Sequence, residues 1–554
     1  MSHFTEMVAA AAAADHGPGT RGLVTGEPDA PRCRSWWQVR ESALRMSAAL
    51  RSAAEFPPVR RGDAVAVLAA RPDFVVPAVQ AAWLAGASVT MLHQPTPRTD
   101  LEVWAADTLR VTRMIDARLV LLGEPFREFA PVLAEQGIRF RELDELSGAD
   151  TAPTEEVPTG EDDLALLQLT SGSSAEPKAV RITHGNLHHN TRAITAAARL
   201  SPEHDVAVSW LPLFHDMGMV GCLAVPMALG MRLVKVTPAD FLARPSLWPD
   251  LIGRYGGTVT AAPNFAYAIA ARGMERAEQG EFDLSTLRFA LNGAEPVDPD
   301  TVERFLAAGA GFGLRPESVV CAFGMAEATL AVSFAPANAG MSVDTVDPEE
   351  LRSRRRAVPT ETETSGVRGF AKLGPPLPGM EVVVVDESGS PLPERSVGGL
   401  LIRGAAVTPG YLTVHGPVAA TDEDGWLDTG DEGYLVDGQL VVCGRRKEVI
   451  VLGGRNVHPA DIERAACAVP GVRAGNAAAV RRDADTRREH FAVIVESRSA
   501  GDETEERRLR KEVAAKIFGE VGARPSTVLV VAPGSLPKTP SGKLRRGAGA
   551  ELLS

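Results

Sequence analysis

Apolar residues in the first third of the chain fall in short runs separated by amphipathic stretches. Residues 65–70, 88–92 and 118–122 predict buried strands, and 74–84 predicts a helix that stops near Gly86. Alternation of this kind predicts a parallel α/β sheet. Residues 145–163 are polar and acidic and predict a loop; the rhythm resumes at 164–169 and continues to about 330. Residues 335–370 carry Gly, Pro, Glu and Arg with little periodicity and predict an irregular, partly mobile insertion. From 381 the pattern becomes β-rich, at 382–385, 399–402 and 439–442, and the last hundred residues predict a compact α+β unit. Residues 1–34 predict a mostly flexible extension with a short helix at best. No internal repeat is visible.

The chain has 554 residues, enough for two or more domains. With 45% apolar and 23% charged residues it can bury sizeable cores, which excludes a disordered or fibrous protein. The formal net charge is −13, and the densest basic run, Arg352 to Arg356, is short and follows Glu349 and Glu350. Nucleic acid is therefore not expected as the main partner. Five scattered cysteines without a CxxC pair fit a reducing compartment, with neither a disulfide framework nor a zinc site. The run from Ala9 to Ala14 lacks the flanks of a signal peptide. No apolar stretch reaches the roughly 18 residues of a membrane span, and a cytoplasmic location is expected. Lysine is sparse, eight against fifty arginines, yet Lys178, Lys447, Lys538 and Lys543 all fall in the segments below. A compact ammonium is not replaced by a guanidinium.

Six segments carry candidate chemistry. Thr170, Ser171, Gly172, Ser173 and Ser174, closed by Lys178, follow a predicted strand. Such a loop can wrap phosphates with backbone N–H groups and hydroxyls, although a Ser/Gly loop is also an ordinary linker. The stretch from Trp210 to Met219 sets His215 and Asp216 among apolar residues, either as a core turn or as a pocket wall near an acyl carboxylate. Gly293, Ala294 and Glu295 follow one predicted strand. Phe323, Gly324, Met325, Ala326 and Glu327 form a similar segment, and in both a Gly lets backbone approach a flat ring. Glu327 offers oxygen to a hard cation such as Mg²⁺. Asp431 can accept from both ribose hydroxyls, and Arg445 to Glu448 follow it closely. The sixth segment, from Leu536 to Arg545, contains Lys538 and Lys543.

In this order and spacing the six segments resemble the adenylate-forming superfamily of acyl-CoA synthetases, peptide-synthetase adenylation domains and luciferases, over about residues 35 to 546. The fatty acyl-AMP ligase branch is closer, on the segments at 210–218, 262–267, 292–297, 324–330 and 454–456, with residues 335–370 where that branch carries an extra segment. The resemblance implies an α/β fold: a large domain of parallel or mixed sheets with a β-barrel-like subdomain over 35–444, and a small mobile α+β domain over 447–554 hinged at Lys447. It departs from the superfamily in Phe323 where Tyr is common, in Ala326 where Thr is common, and in Ser174, which keeps the hydroxyl of a common Thr.

The resemblance further implies that a carboxylic acid and ATP react to acyl-AMP and pyrophosphate. Residues 170–178 would hold the outer phosphates, and Mg²⁺ would be held partly by Glu327. Lys543 would bridge the acyl carboxylate and the α-phosphate, with His215 at the acyl end. Asp431 and Arg445 would hold the ribose, and residues 293–295 and 323–326 would frame the adenine. Trp210, Met219, Met231, Phe265, Tyr267 and Met325 are collective candidates for an apolar acyl pocket, or plain core. The acids expected are fatty acids, then polycyclic or aryl acids of a biosynthetic pathway. The chain shows no carrier domain after residue 546, so the expected acceptor is a pantetheine thiol on a separate carrier protein or a partner enzyme. The rivals are a two-step acyl-CoA ligase using CoA and a silent adenylate-binding scaffold.

Overall fold

The computed structural model describes residues 1–15, 21–52, 57–96, 99–148, 151–170, 176–360, 367–452, 455–484, 486, 489–538 and 544–553. Two eight-stranded mixed sheets form its bulk. In one, Ala64–Leu68, Ser88–Met91, Ala117–Leu122 and Leu164–Leu169 run parallel, as their apolar runs predict. These strands are nearly all buried, as expected where helices cover both faces. The other sheet is built on Val206–Ser209, Arg232–Lys235, Val259–Ala262, Phe289–Asn292 and Val319–Gly324, again parallel. A four-stranded antiparallel sheet follows, joining Met380–Val385, Gly398–Gly404, Leu427–Val436 and Gln439–Arg445. The smaller C-terminal domain packs Pro459–Cys467 and Glu503–Val521 on a three-stranded sheet and encloses its own core around Ile462, Val493, Leu509 and Ile517. Among the described residues, no helix is long and apolar enough to cross a membrane.

The expected flexible extension over residues 1–34 is corrected by a helix and two strands. Helix His3–Ala13 is N-capped by Ser2, whose hydroxyl accepts from the Thr5 N–H. Phe4, Val8 and Ala12, spaced i, i+4, i+8, put one face into the main core. Leu23–Thr25 extends the second sheet beside Arg232–Lys235. The alanine run hid this face, because small residues line both sides of the helix. Phe4 meets Trp83 edge-on at 5.4 Å and is fully buried. Phe4→Ala is therefore expected to cost about 3–5 kcal/mol. The check is the first urea transition followed by tryptophan fluorescence; a midpoint equal to wild type would show that the helix adds nothing to the core.

The stretch 335–370, expected to be irregular and partly mobile, is also corrected where it is described. Val343–Val346 pairs antiparallel with Arg368–Ala371, and Pro348–Arg354 is helical. That helix has an Asp347 N-cap, Pro at its start, Glu349 and Glu350 in the first turn, and Arg352 and Arg354 in the last. These are ordinary start and stop signals, compressed into seven residues that show no full apolar period. The helix meets the C-terminal domain. The Arg352 guanidinium, 7% exposed, donates to the carbonyls of Glu520 and Val521 at the end of helix Glu503–Val521. A cation suits that negative helix end. Arg368 forms a buried ion pair with Asp461 at 2.6 Å, and Arg455 pairs with Glu349.

Candidate active site

Strand Leu164–Leu169 leads into the Ser/Gly loop, of which Ser171, Gly172, Ser173 and Ser174 lie outside the described residues. At the loop's start, the Thr170 hydroxyl is buried and has no hydrogen-bond partner among the described residues. Lys178 begins the return strand Lys178–Thr183 and sets its ammonium 4.0 Å from the centroid of the Tyr411 ring. The Tyr411 hydroxyl donates to Glu327 Oε1 at 3.0 Å. Lys178 and Glu327, 149 positions apart in sequence, are thus joined through one ring.

Glu327 sits in a short turn, Ala326–Ala328, after the strand that carries Phe323 and Gly324. Only Gly fits at 324, because a Cβ there would lie 2.2 Å from the Leu330 carbonyl oxygen. Met325 donates its N–H to that same carbonyl. Thr329 closes the turn at φ +66°, fully buried, its hydroxyl bonded to the Ala406 carbonyl at 2.7 Å. A β-branched residue in this region is strained and is held by its surroundings.

Asp431 and Arg445 face each other across two paired strands, with Arg445 Nε 3.0 Å from Asp431 Oδ1. Arg445 also donates to the Thr429 carbonyl. The other carboxylate oxygen, Asp431 Oδ2, is buried and has no hydrogen-bond partner among the described residues. Burial raises the Asp431 carboxyl from its usual 3.8 to about 6; Glu327, Glu448 and Asp428 push the same way, and Arg445 opposes them. An orphaned acceptor beside a cation fits a donor pair such as the hydroxyls of a ribose.

Gly293 and Ala294 follow strand Phe289–Asn292, parallel neighbour of the strand bearing Phe323. Ala294 takes φ +69°, a second strained backbone at this end of the sheet. The Glu295 side chain turns elsewhere: its Oε1 accepts from the Phe265 N–H at the start of helix Asn264–Met274. That bond fastens the start of the helix.

His215 Nδ1 lies 2.7 Å from Asp216 Oδ1, in the turn before the π-helical stretch Met217–Ala224. Gly218 is required there, since a Cβ would stand 2.0 Å from the Pro212 carbonyl oxygen. His93 lies near: burial, and secondarily His215, hold its imidazole down to about 4. Gln168, 6% exposed, donates one amide to the Phe214 carbonyl at 2.8 Å and to its own neighbour Leu169. It ties the phosphate-side strand to the His215 turn. Gln168, His93 and Tyr411 lie outside the six segments; a polar residue inside an apolar strand was the only sequence signal for Gln168.

The acyl-pocket candidates lie in or against the buried clusters. Trp210 stacks on Phe241 at 4.0 Å and meets Trp248 and Phe265 edge-on, and Met219 follows His215 on the adjacent turn. Met231 is as buried as Met219 and shares its core, where it lies with the N-terminal helices and its carbonyl accepts from Trp36 Nε1. Tyr267 shares a buried cluster with Trp210 and is fully buried against Trp248 and Phe305, with its hydroxyl on the Leu291 carbonyl. Lys447 lies in the turn Arg446–Glu448 between the four-stranded sheet and the C-terminal domain. Lys543 lies outside the described residues. Its flanks are paired, Lys538 with Leu544, and the Lys538 ammonium bonds Asn476 Oδ1 at 2.9 Å.

Among the described residues, no cluster of three or more His, Cys, Asp or Glu side chains could cage a metal. A single carboxylate, Glu327, fits the manner in which Mg²⁺ is bound through nucleotide phosphates and one or two protein oxygens.

The family model of AMP-binding enzymes matches residues 11–412. A Mycobacterium tuberculosis protein named "Putative ligase Rv1013" is 52% identical over the whole of both chains. The medium-chain-fatty-acid–[acyl-carrier-protein] ligase JamA of Moorena producens is 34% identical, over 70% of this chain and 67% of its own. A structure from a study of fatty acyl-adenylate ligases of E. coli and L. pneumophila superimposes with a TM-score of 0.86 at 30% identity, covering 100% of this chain and 97% of that one. The chain belongs to the AMP-binding enzyme family, within the adenylate-forming superfamily and near its fatty acyl-AMP ligase branch.

Proposed function

We propose that the protein activates a fatty or other bulky carboxylic acid with ATP and passes the acyl group to a pantetheine thiol on a separate carrier protein. The observation that carries this reading is the orphaned Asp431 oxygen beside Arg445, near Glu327, with Lys178 joined to Glu327 through Tyr411. The substrate carboxylate attacks the α-phosphorus of ATP. A new P–O bond forms, the α–β anhydride bond breaks, and pyrophosphate leaves with its electron pair. Two anions must approach, so the site works by placing charge and donors in advance.

Thr170 and Lys178, with residues 171–174, bind the outer phosphates in this reading. Asp431 and Arg445 anchor the ribose, and the strand ends at 293–295 and 323–326 flank the base. Lys543 bridges the two reacting anions, and His215, held by Asp216, faces the acyl carboxylate. Mg²⁺, held partly by Glu327, supplies Lewis-acid neutralisation of the phosphate oxygens. Trp210, Met219, Phe265 and Met325 belong to the acyl pocket. Residues 35–444 and 447–554 act as the two bodies hinged at Lys447, in a cytoplasmic enzyme.

The carrier as acceptor is supported by the similarity to JamA, an [acyl-carrier-protein] ligase by name. Mass spectrometry of the protein with ATP, Mg²⁺ and a panel of acids, with and without CoA, tests the reading. The expected product is acyl-AMP that CoA does not consume and that a phosphopantetheinylated carrier does. Acyl-CoA formation would establish a two-step CoA ligase, and absence of any adenylate across the panel would favour a silent scaffold.

A further inference from the structure

Tyr411 falls in none of the six chemical segments, yet it touches two of the charges that the proposed reaction needs. It lies on strand Gly410–Thr413, paired antiparallel with the strand that begins at Lys178. This pairing puts the ring beside the return arm of the phosphate loop. The Lys178 ammonium rests 4.0 Å from the ring centroid, within cation–π range. On its far side the hydroxyl donates to Glu327 Oε1 at 3.0 Å. That bond occupies one oxygen of Glu327 and fixes the plane of the carboxylate.

The backbone around this contact is equally constrained. The Glu327 carbonyl accepts from the Thr408 N–H at 2.8 Å, and the Thr408 hydroxyl bonds the Arg181 carbonyl on the Lys178 strand at 2.5 Å. Gly410 precedes Tyr411 because a Cβ would stand 2.2 Å from the Val418 carbonyl oxygen. The strand carrying Tyr411 is therefore held on both flanks, and its side chain has little freedom to leave either charge.

We propose that Tyr411 is a positioning residue that sets Glu327 and Lys178 at a fixed separation, so that one side chain aligns the cation-side and phosphate-side charges on the nucleotide. This rests on the reading of Glu327 as the carboxylate that helps hold Mg²⁺ and of Lys178 as a phosphate contact. The ring and the hydroxyl have separable tasks. Tyr411→Phe keeps the seat for Lys178 and frees Glu327; Tyr411→Leu removes both.

The test measures equilibrium binding with the full-length protein. Mn²⁺ is titrated by electron paramagnetic resonance into the complex with α,β-methylene-ATP, and affinity for that analogue is measured separately in EDTA. Loss of a group that orients a metal ligand typically weakens metal binding about 10-fold or more. Tyr411→Phe is expected to weaken Mn²⁺ by about that factor while leaving metal-free nucleotide affinity within about twofold. Tyr411→Leu is expected to lose a further threefold to tenfold, roughly, in metal-free affinity through the lost ring contact. A purely structural role would lower both affinities together in the Phe variant, and that result overturns the inference. Glu327→Gln is the control. If it loses Mn²⁺ affinity and Tyr411→Phe does not, the positioning role fails and the reading of Glu327 stands. If Glu327→Gln binds Mn²⁺ like wild type, that reading fails and the inference falls with it. Should the Leu variant not fold, the Phe variant and the Gln control still decide.

Discussion

Lys543→Ala is expected to slow acyl-AMP formation by about two to three orders of magnitude, the usual loss when one preorganised charge or donor is removed from a transition state. The reaction brings a carboxylate onto a phosphate, so a cation between them matters most when the new bond is half formed. Lys538, the other lysine of the segment, bonds Asn476 within the C-terminal domain. Lys538 and Leu544, the described residues on either side of 539–543, pair antiparallel. ATP affinity should stay within about threefold, because a contact made only in the transition state lowers turnover and not ground-state binding. Single-turnover formation of acyl-AMP and a separate ATP titration check both halves. Lys543→Arg should not restore the rate, since a planar fork does not occupy the place of a point charge. Near wild-type adenylation by Lys543→Ala would remove the residue from the mechanism.

Asp431→Asn is expected to weaken ATP binding by about 10- to 100-fold, the worth of one or two charge-assisted hydrogen bonds. The same carboxylate gives the enzyme a pH dependence whose sign follows from its surroundings. Burial raises Asp431 from 3.8 to about 6 in the folded protein, with Glu327, Glu448 and Asp428 adding to the shift and Arg445 opposing it. Folding thus favours the protonated form. The stability this group contributes is fully present below its ordinary value and is lost as pH rises through about 6. Nucleotide binding has the opposite sense, because ribose hydroxyls donate to the ionised carboxylate. ATP affinity should be full above about 6 and fall as pH drops below it. Titrations between roughly pH 5 and 8 should show this slope in wild type and lose it in Asp431→Asn. A wild-type slope retained in the variant would assign it to another group.

The sheets were legible because parallel strands buried on both faces read as unbroken apolar runs. Residues 65–70, 88–92 and 164–169 each match a strand to within two residues at either end. The polar segments were legible as motifs because their residue types suit phosphate, ribose or cation. Lys178 and Glu327 meet through Tyr411, and Asp431 pairs with Arg445, with Glu327 among the charges that act on Asp431. What escaped was of two kinds. Trp210, Met219, Met231 and Tyr267 are all buried, and burial alone does not say which large side chains line a pocket and which fill the core. Gln168 and Tyr411 act across 46 and 84 positions of sequence respectively, and no local signal marks a partner that distant. The N-terminal helix and the helix at Pro348–Arg354 are short, and their faces become apolar only against what they pack on.

The ion pair between Arg368 and Asp461 bears on how such an enzyme changes over generations. Asp461 is 3% exposed; burial works against its charge, and Arg368, with His458, Arg464 and Arg352, keeps it ionised. Deleting residues 335–370 would take away two of those arginines and strand a carboxylate in the interior, a loss of about 3–5 kcal/mol for a broken buried pair. The segment and the acid at 461 are therefore coupled in stability. A lineage that sheds the segment in one event inherits a destabilised small domain, whereas neutralising position 461 first opens a passable route. Chimeras that swap only the segment carry the same handicap, and their defects report stranded charge before they report anything about acceptor choice.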